Sequence, residues 1–497
     1  MSMRKLYVVF PDEIGTIAPE IYGHFTEHIG GVIYDGIWVG KDSEVENVDG
    51  FRKFIIDKLK DIHPAVVRWP GGCFAETYNW RDGIGDERPT RLNWWTRSDG
   101  KYETNEVGTH EFMRFCELIG AEPYLAVNIA SSTAREMREW VDYCNSPEGT
   151  TTCARERAAN GHPEPFNVKY WGIGNESWEA GGNMSVDCYA NEYRKYSELC
   201  RNVPGDKDLI ACGPNTADYH WTAEFMKRMQ NSRLRMRGLS MHYYCATDDK
   251  VVDFTKDEWY QVVSSAGYMD ELINRHWGII RGYKMEEYAR LVIDEWGCWH
   301  PQGTGPSKGK NLLEQQSTVR DALVSAITLN VFNNNCDKVM MANVAQMVNN
   351  LHALFLSAGD KCITTPTYHV FKMFAEHQNG TAVKCCMDKE YITFNNKEGK
   401  ESKVEDLTVS ASYKEDAVIL TITNVNADQD VEFALEAVGK KLAQDAVMTV
   451  LTHEDYRACN TFEDPDKVAT YEVPIDTANP IVIPKASVVS IKASIVA

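Results

Sequence analysis

The sequence VKYWGIGNE occupies residues 168–176 and passes from an apolar run directly into the polar pair Asn175 and Glu176. A short apolar run that ends in glycine and polar residues is typical of a buried strand. Seven more such runs lie at 20–28, 65–72, 123–130, 209–215, 238–244, 290–297 and 338–346. Eight is the number of parallel strands that closes a β/α barrel.

Segments with helical spacing separate these runs. Phe51, Ile55, Leu59 and Ile62 recur at intervals of three and four residues, which is typical of an amphipathic helix. Longer helical patterns at 266–288 and 314–332 precede the seventh and eighth runs. The alternation of strand and helix predicts an α/β fold, a (β/α)8 TIM barrel over residues 17–372.

The last quarter of the chain changes to a period of two residues. DLTVSASY (406–413), AVILTITNV (417–425) and VEFALEA (431–437) alternate apolar and polar positions, as half-buried antiparallel strands do. We therefore predict a C-terminal all-β sandwich over residues 373–497. The weak alternation near the N-terminus predicts that residues 1–16 add a strand to this domain.

Composition limits the partners and the compartment. The 497 residues carry a formal net charge of -20, which disfavours binding to nucleic acid. No apolar run is long enough for a membrane span or a signal peptide, and the 14 cysteines include no CxxC pair. We expect a cytoplasmic protein with reduced thiols that binds neither nucleic acid nor a membrane.

Two carboxylates at predicted strand ends indicate a chemistry. Glu176 ends the fourth run and Glu295 the seventh, and active sites of such barrels lie at the C-terminal ends of the strands. Glycoside hydrolysis needs one carboxyl group that protonates the leaving oxygen and a second one opposite it. Nearby Trp178, Trp296 and Trp299 are candidates for stacking on sugars. The histidines lack the spacing of a catalytic metal site such as HExxH, so we expect no metal and no cofactor.

The chain also resembles a known family almost from end to end. The motifs are GHFTEHIGGVIYDGIWVG (23–40), RWPGGCFAETYNWRDGIG (68–85), NEVGTHEFMRFCELIGAEPY (105–124), KYWGIGNESW (169–178), MHYY (241–244), DEWG (294–297) and MANVAQMVNNLHA (341–353). They resemble glycoside hydrolase family 51, the α-L-arabinofuranosidases. The resemblance implies a retaining enzyme with Glu176 as general acid/base and Glu295 as nucleophile.

The same resemblance implies the residues that bind the sugar. It places Asn175 on the 2-hydroxyl, Tyr244 on the nucleophile and His242 beside the acid/base. Many members carry Asn where this chain has Cys73, so we expect Cys73 to bind the sugar through its backbone amide instead. The resemblance also implies that Glu27, Arg68 and Gln346 bind the remaining hydroxyls.

The implied activity is exo-acting release of terminal non-reducing arabinofuranose from arabino- or arabinoxylo-oligosaccharides. The family also implies a homo-oligomer, often a hexamer. Two other functions stay open on the residues alone. One is an endo-β-1,4-glucanase or xylanase, because paired glutamates do not specify the ring size. The other is a sugar-binding pseudoenzyme, against which the presence of both glutamates counts.

Overall fold

The computed structural model describes residues 3–230, 236–246 and 250–496. Eight parallel strands form a closed barrel in the order β7-β8-β1-β2-β3-β4-β5-β6, in which β6 pairs with β7. The prediction of a (β/α)8 barrel is confirmed. The strands are β1 (Gly23–Phe25), β2 (Val66–Trp69), β3 (Glu122–Val127), β4 (Tyr170–Ile173), β5 (Asp208–Ala211), β6 (Gly238–Ala246), β7 (Arg290–Trp299) and β8 (Val339–Ala345).

Helices follow the strands and cover the barrel. They are α1 (Lys53–Ile62), α2 (Thr96–Asp99), α3 (Thr109–Ile119), α4 (Ala134–Asn145), α5 (Thr152–Ala159), α6 (Val186–Cys200), α7 (Tyr219–Met229), α8 (Lys256–Gly282), α9 (Val319–Asn334) and α10 (Pro366–Phe374). Helix α8 begins well before the predicted 266–288, because Thr255 accepts a hydrogen bond from the backbone of Glu258 and so caps it.

The C-terminal all-β domain is one nine-stranded sheet, and its strands at both ends of the order contribute to one core with Leu6, Leu420, Phe433 and Val450. The sheet therefore curls over itself as two layers. The strand Arg4–Thr16 lies within it. The order is Thr470–Asp476, Lys441–Leu451, Ser487–Val496, Ala417–Asn424, Leu407–Lys414, Thr381–Cys386, Arg4–Thr16, Val431–Val438 and Ile481–Ile483.

Helix α9 joins the two parts of the molecule. Its Asn330 accepts hydrogen bonds from Ser410 and Thr421 of the sheet, both at 2.7 Å. On its other side Phe332 meets Trp296 of β7 edge to face. Because both sides are covered, almost every residue of α9 is buried. Among the residues described, no helix is both long and apolar enough to span a membrane.

Three two-stranded sheets complete the strand inventory. They are Asn47–Val48 with Phe51–Arg52, Phe355–Ala358 with Lys361–Thr364, and Tyr391–Asn395 with Glu401–Glu405.

Candidate active site

The predicted site residues form one connected cluster at the C-terminal end of the barrel. Glu176 and Glu295 lie at its centre, and both contact the ring of His242. A carboxylate oxygen of each and a ring nitrogen of His242 all lie within 4.8 Å of one another. The other predicted residues surround this centre: Glu27, Arg68, Cys73, Asn175, Tyr244 and Gln346.

The backbone after β4 turns sharply to present Glu176. Gly174 has φ 86° and Glu176 itself has φ 42°, in the left-handed region that favours glycine. A non-glycine residue in this region costs about 1–3 kcal/mol and is common at functional sites. Backbone hydrogen bonds hold the turn, since the carbonyl of Glu176 accepts from Glu179 at 2.8 Å and from Gly181 at 3.0 Å.

The Glu176 side chain lies between an imidazole and a thiol. Its Oε1 is 2.9 Å from Nδ1 of His242, and its Oε2 is 3.9 Å from Sγ of Cys73. Burial raises the pKa of Glu176, the His242 contact opposes that shift, and the negative charge of Glu295 adds to it. The net direction is upward, which favours a protonated carboxyl.

Glu295 has two strong hydrogen-bond donors instead. Arg68 donates to Oε1 at 2.8 Å and the Tyr244 hydroxyl donates to Oε2 at 2.8 Å. Arg68 is itself fully buried and also donates to Oδ1 of Asn175 at 2.6 Å. The guanidinium and the phenol together hold the carboxylate of Glu295 in one orientation.

An irregularity in β7 turns Asp294 and Glu295 toward the ring of His242. The pairing register of β7 shifts between Val292 and Glu295 relative to β6, as at a β-bulge. Asp294 and Glu295 therefore do not alternate. Asp294 lies 3.0 Å from Nε2 of His242, and Glu295 lies 3.4 Å from Nδ1 of the same ring. Sequence reasoning missed Asp294, because strict alternation would send it to the opposite face.

Neighbouring charges set the protonation state of the His242 ring. Burial alone would lower the pKa of His242, but the negative charges of Glu295 and Asp294 raise it well above the ordinary range. Burial would likewise raise the pKa of Asp294, but Arg68 and His242 lower it. The pair is therefore an imidazolium beside a carboxylate. Tyr124 donates a further hydrogen bond to Asp294 at 3.1 Å.

Glu27 forms the opposite wall of the site. It accepts hydrogen bonds from the backbone of Phe74 at 2.9 Å, from Nε1 of Trp95 at 2.9 Å and from Nε2 of Gln346 at 3.1 Å. Burial raises its pKa to about 7. A Cβ atom on Gly72 would lie 3.0 Å from Oε2 of Glu27, which is a tight contact, so glycine suits this close approach of the chain.

A second buried acid, Glu76, supports the turn from below. Its Oε1 accepts from the backbone of Asn175 at 2.6 Å, and its Oε2 accepts from the backbones of Ile129 and Ala130, both at 2.8 Å. Burial raises its pKa to about 7. Sequence reasoning missed Glu76 and Trp95, which lie in the segment after β2 where no strand pattern singles them out.

Two polar atoms are positioned for a ligand. Within the described part of the chain, Nδ2 of Asn175 and Oε1 of Gln346 are buried and have no hydrogen-bond partner. Such groups are costly unless something binds them. A donor and an acceptor on opposite strands of the barrel suit the hydroxyl groups of a sugar.

The three tryptophans predicted to stack on sugar have different positions. Trp296 is buried and packs against Phe332 and Phe371, so its prediction as a stacking platform is wrong. It follows Glu295 in β7 and faces outward, as strand alternation requires. Trp299 is exposed and meets Tyr244 edge to face at 5.2 Å, at the rim of the site. Trp178 is half-buried against the barrel core.

Comparison with known proteins places this geometry in a family. A model described as the α-L-arabinofuranosidase 1 domain matches residues 58–260, and one described as the α-L-arabinofuranosidase C-terminal domain matches residues 294–487. An intracellular exo-α-L-arabinofuranosidase of Bacteroides ovatus is 38% identical, over 91% of this chain and 87% of that protein.

Solved structures agree over the whole length. The family 51 arabinofuranosidase of Xanthomonas axonopodis pv. citri has a TM-score of 0.93 at 34% identity and covers 99% of this chain and 100% of its own. The α-L-arabinofuranosidase of Thermotoga maritima, in complex with arabinose, has a TM-score of 0.87 at 29% identity, with the same coverage of 99% and 100%.

Proposed function

The chain belongs to glycoside hydrolase family 51, the α-L-arabinofuranosidases, and from this premise we propose that it is a retaining, exo-acting α-L-arabinofuranosidase. Glu176 is the general acid/base and Glu295 is the nucleophile. The substrates are arabino- or arabinoxylo-oligosaccharides, from which one terminal non-reducing arabinofuranose is released at a time.

The observation that carries the proposal is the short distance between the two glutamates. Their nearest carboxylate oxygens lie within 4.8 Å. Retaining glycosidases hold the two carboxyl groups about 5–5.5 Å apart, whereas inverting enzymes need roughly 6.5–9.5 Å to fit a water molecule between them. The gap leaves no such room, which supports direct attack by Glu295.

The reaction then proceeds in two displacements. Glu176 gives its proton to the glycosidic oxygen while the carboxylate of Glu295 attacks the anomeric carbon, so that the C–O bond breaks as a covalent arabinosyl-enzyme forms. The ionised Glu176 next takes a proton from water, the resulting hydroxide attacks the same carbon, and Glu295 leaves. Tyr244 and Arg68 hold Glu295 in place through both steps.

The remaining predicted residues fit sugar binding. Nδ2 of Asn175 and Oε1 of Gln346 are available to hydroxyl groups, and Glu27 lies beside Gln346. Contacts to the 2-hydroxyl by Asn175 strengthen in the oxocarbenium-like transition state. The side chain of Cys73 lies beside the carboxyl group of Glu176. Its backbone amide is left to contact the sugar.

Closure of the site supports an exo-acting enzyme. The segment after β2 packs against Glu27, to which the backbone of Phe74 and Nε1 of Trp95 both donate, and so supports a pocket that is covered on that side. A pocket with a blocked side accepts a chain end, whereas an endo-acting glucanase or xylanase needs an open cleft. The homology to an intracellular enzyme supports a cytoplasmic location with imported oligosaccharides. We also propose a homo-oligomer, on family analogy alone.

Azide rescue of the two alanine variants tests these roles. On p-nitrophenyl α-L-arabinofuranoside, Glu176→Ala with azide should yield the α-linked arabinosyl azide, which has the configuration of the substrate. Glu295→Ala with azide should yield the β-linked, inverted azide. Glu198→Ala, which removes an exposed glutamate of α6, is the matched control and should retain full activity.

Two results would contradict the proposal. Inverted arabinose as the first product of the wild-type enzyme, seen by proton NMR, would exclude a retaining mechanism. Release of oligosaccharides from glucan or xylan, without hydrolysis of the arabinofuranoside, would favour the endo-acting alternative. Binding of arabinose without any turnover would favour the pseudoenzyme.

A further inference from the structure

A second cluster of reactive side chains is buried behind β7, away from the substrate side. Cys298 lies three residues after Glu295, Asp321 lies in the first turn of α9, and His352 follows β8. All three are almost completely buried. The Cys298 sulfur, an oxygen of Asp321 and a ring nitrogen of His352 all lie within 4.8 Å of one another.

The carboxylate of Asp321 is oriented by its neighbours. Oδ2 accepts from the backbone and the hydroxyl of Thr318 at 2.7 and 2.9 Å, and Oδ1 accepts from Nε2 of His300 at 2.8 Å. These three bonds use three of the roughly four lone-pair positions of a carboxylate. The fourth position is left for the Cys298 sulfur, which lies within 4.8 Å of an oxygen of Asp321.

His352 presents a nitrogen with nothing attached to it. Nε2 lies at hydrogen-bond distance from the hydroxyl of Ser325, while Nδ1 is buried with no partner among the described residues. In the tautomer whose Nε2–H donates to Ser325, Nδ1 carries a free lone pair. A histidine that binds a metal usually donates its other ring N–H to a protein oxygen in this way.

We propose that Cys298, Asp321 and His352 bind one Zn²⁺ ion and supply three of its four tetrahedral positions. Sulfur, oxygen and imidazole nitrogen together suit zinc better than magnesium or calcium. Binding replaces the Cys298 proton, which leaves to solvent, by a zinc–sulfur bond. A thiolate and a carboxylate then match the two positive charges of the ion.

The ion would connect three elements that support the nucleophile. Cys298 belongs to β7, Asp321 to α9 and His352 to the segment after β8, and the strand β7 also carries Glu295. Sequence spacing does not reveal such a site, because the ligands come from three separate segments. The site is structural and takes no part in the hydrolysis.

Metal analysis of the untagged full-length protein tests the proposal. We expect about one zinc per chain by inductively coupled plasma mass spectrometry, lost in Cys298→Ser and in His352→Gln. The matched control is Cys116→Ser, which changes a buried cysteine of α3 and should keep the zinc. The proteins are compared by circular dichroism, and His352→Gln preserves a side chain that can hydrogen-bond to Ser325.

A measurement on the wild type alone decides the case if a variant does not fold. Chelator-treated protein loaded with Co²⁺ should show the near-ultraviolet charge-transfer band of a cobalt–thiolate bond, and zinc should raise the melting temperature. Two results would overturn the proposal. One is wild type that binds no metal after incubation with zinc, and the other is cobalt-treated wild type that lacks the thiolate band. Folded variants that keep a full zinc would overturn the choice of ligands.

Discussion

Glu76 ties the segment that carries Glu176 to the neighbouring backbone, and we expect Glu76→Gln to slow the enzyme without unfolding it. The carboxylate accepts three backbone N–H groups, from Asn175 at 2.6 Å and from Ile129 and Ala130 at 2.8 Å. An amide offers one oxygen. It keeps most bonds by facing that oxygen to Ile129 and Ala130, which turns its NH2 group against the N–H of Asn175.

The size of the effect follows from that single lost bond. A hydrogen bond to a charged acceptor contributes about 1.5–3 kcal/mol, and the two opposed donors add repulsion. Asn175 must then move, and it is the residue before Glu176. If the whole loss appears in the transition state, kcat/KM falls about 10- to 150-fold.

The assay compares leaving groups. Proton donation by Glu176 matters most when the leaving group is a sugar, and least when it is 2,4-dinitrophenol. The fall for Glu76→Gln should therefore be larger on an arabino-oligosaccharide than on the dinitrophenyl arabinofuranoside. Glu258→Gln is the control, because it also weakens a bond from a carboxylate to a backbone N–H, at the start of α8 and away from the site.

Two outcomes would refute this reasoning. Activity within twofold of the wild type on both substrates would show that Glu76 does not position the acid/base. Equal falls on both substrates, together with a lower melting temperature, would show a general loss of structure. The wild type and both variants should be compared at one pH, since the pKa of Glu76 is about 7.

Three further changes test the electrostatics of the site. Tyr244→Phe removes the 2.8 Å hydrogen bond to Glu295 and should lower kcat about 10- to 150-fold at an unchanged melting temperature. The His242 contact lowers the pKa of Glu176, so His242→Gln should raise that pKa. A general acid works only while protonated, so the alkaline limb of the kcat/KM profile should move to higher pH, and a move to lower pH would contradict the assignment. Asp294→Asn leaves buried cations without their counter-charge and should lower the free energy of unfolding in urea by about 3–5 kcal/mol; a change below 1 kcal/mol would count against the pairing.

The barrel and the positions of the two glutamates were predictable from local patterns. Most barrel strands are short apolar runs, and the polar residues in the C-terminal part of the strand or just after it lie at one rim of the barrel. Glu176 and Glu295 therefore face each other once eight strands close. The length of the run 168–176 and its glycines were enough to assign it as a strand that ends in the site.

The site residues that the sequence did not predict owe their positions to departures from regular geometry. The bulge in β7 brings Asp294 and Glu295 to one ring, and no residue preference in VIDEWG marks it. Glu76 and Trp95 lie in a long connection whose course is set by tertiary contacts. Trp296 shows the converse error, because proximity in sequence to a nucleophile does not decide which face of a strand a side chain occupies.

The buried charges explain why two similar glutamates take different roles in the proposed mechanism. Arg68 and the protonated ring of His242 supply two positive charges, and Asp294 and Glu295 supply two negative charges in direct contact with them. The charges of these four groups sum to zero. Burial and the negative charge of Glu295 raise the pKa of Glu176. In the proposed mechanism the proton therefore resides on Glu176, while Arg68 and Tyr244 orient Glu295 for attack.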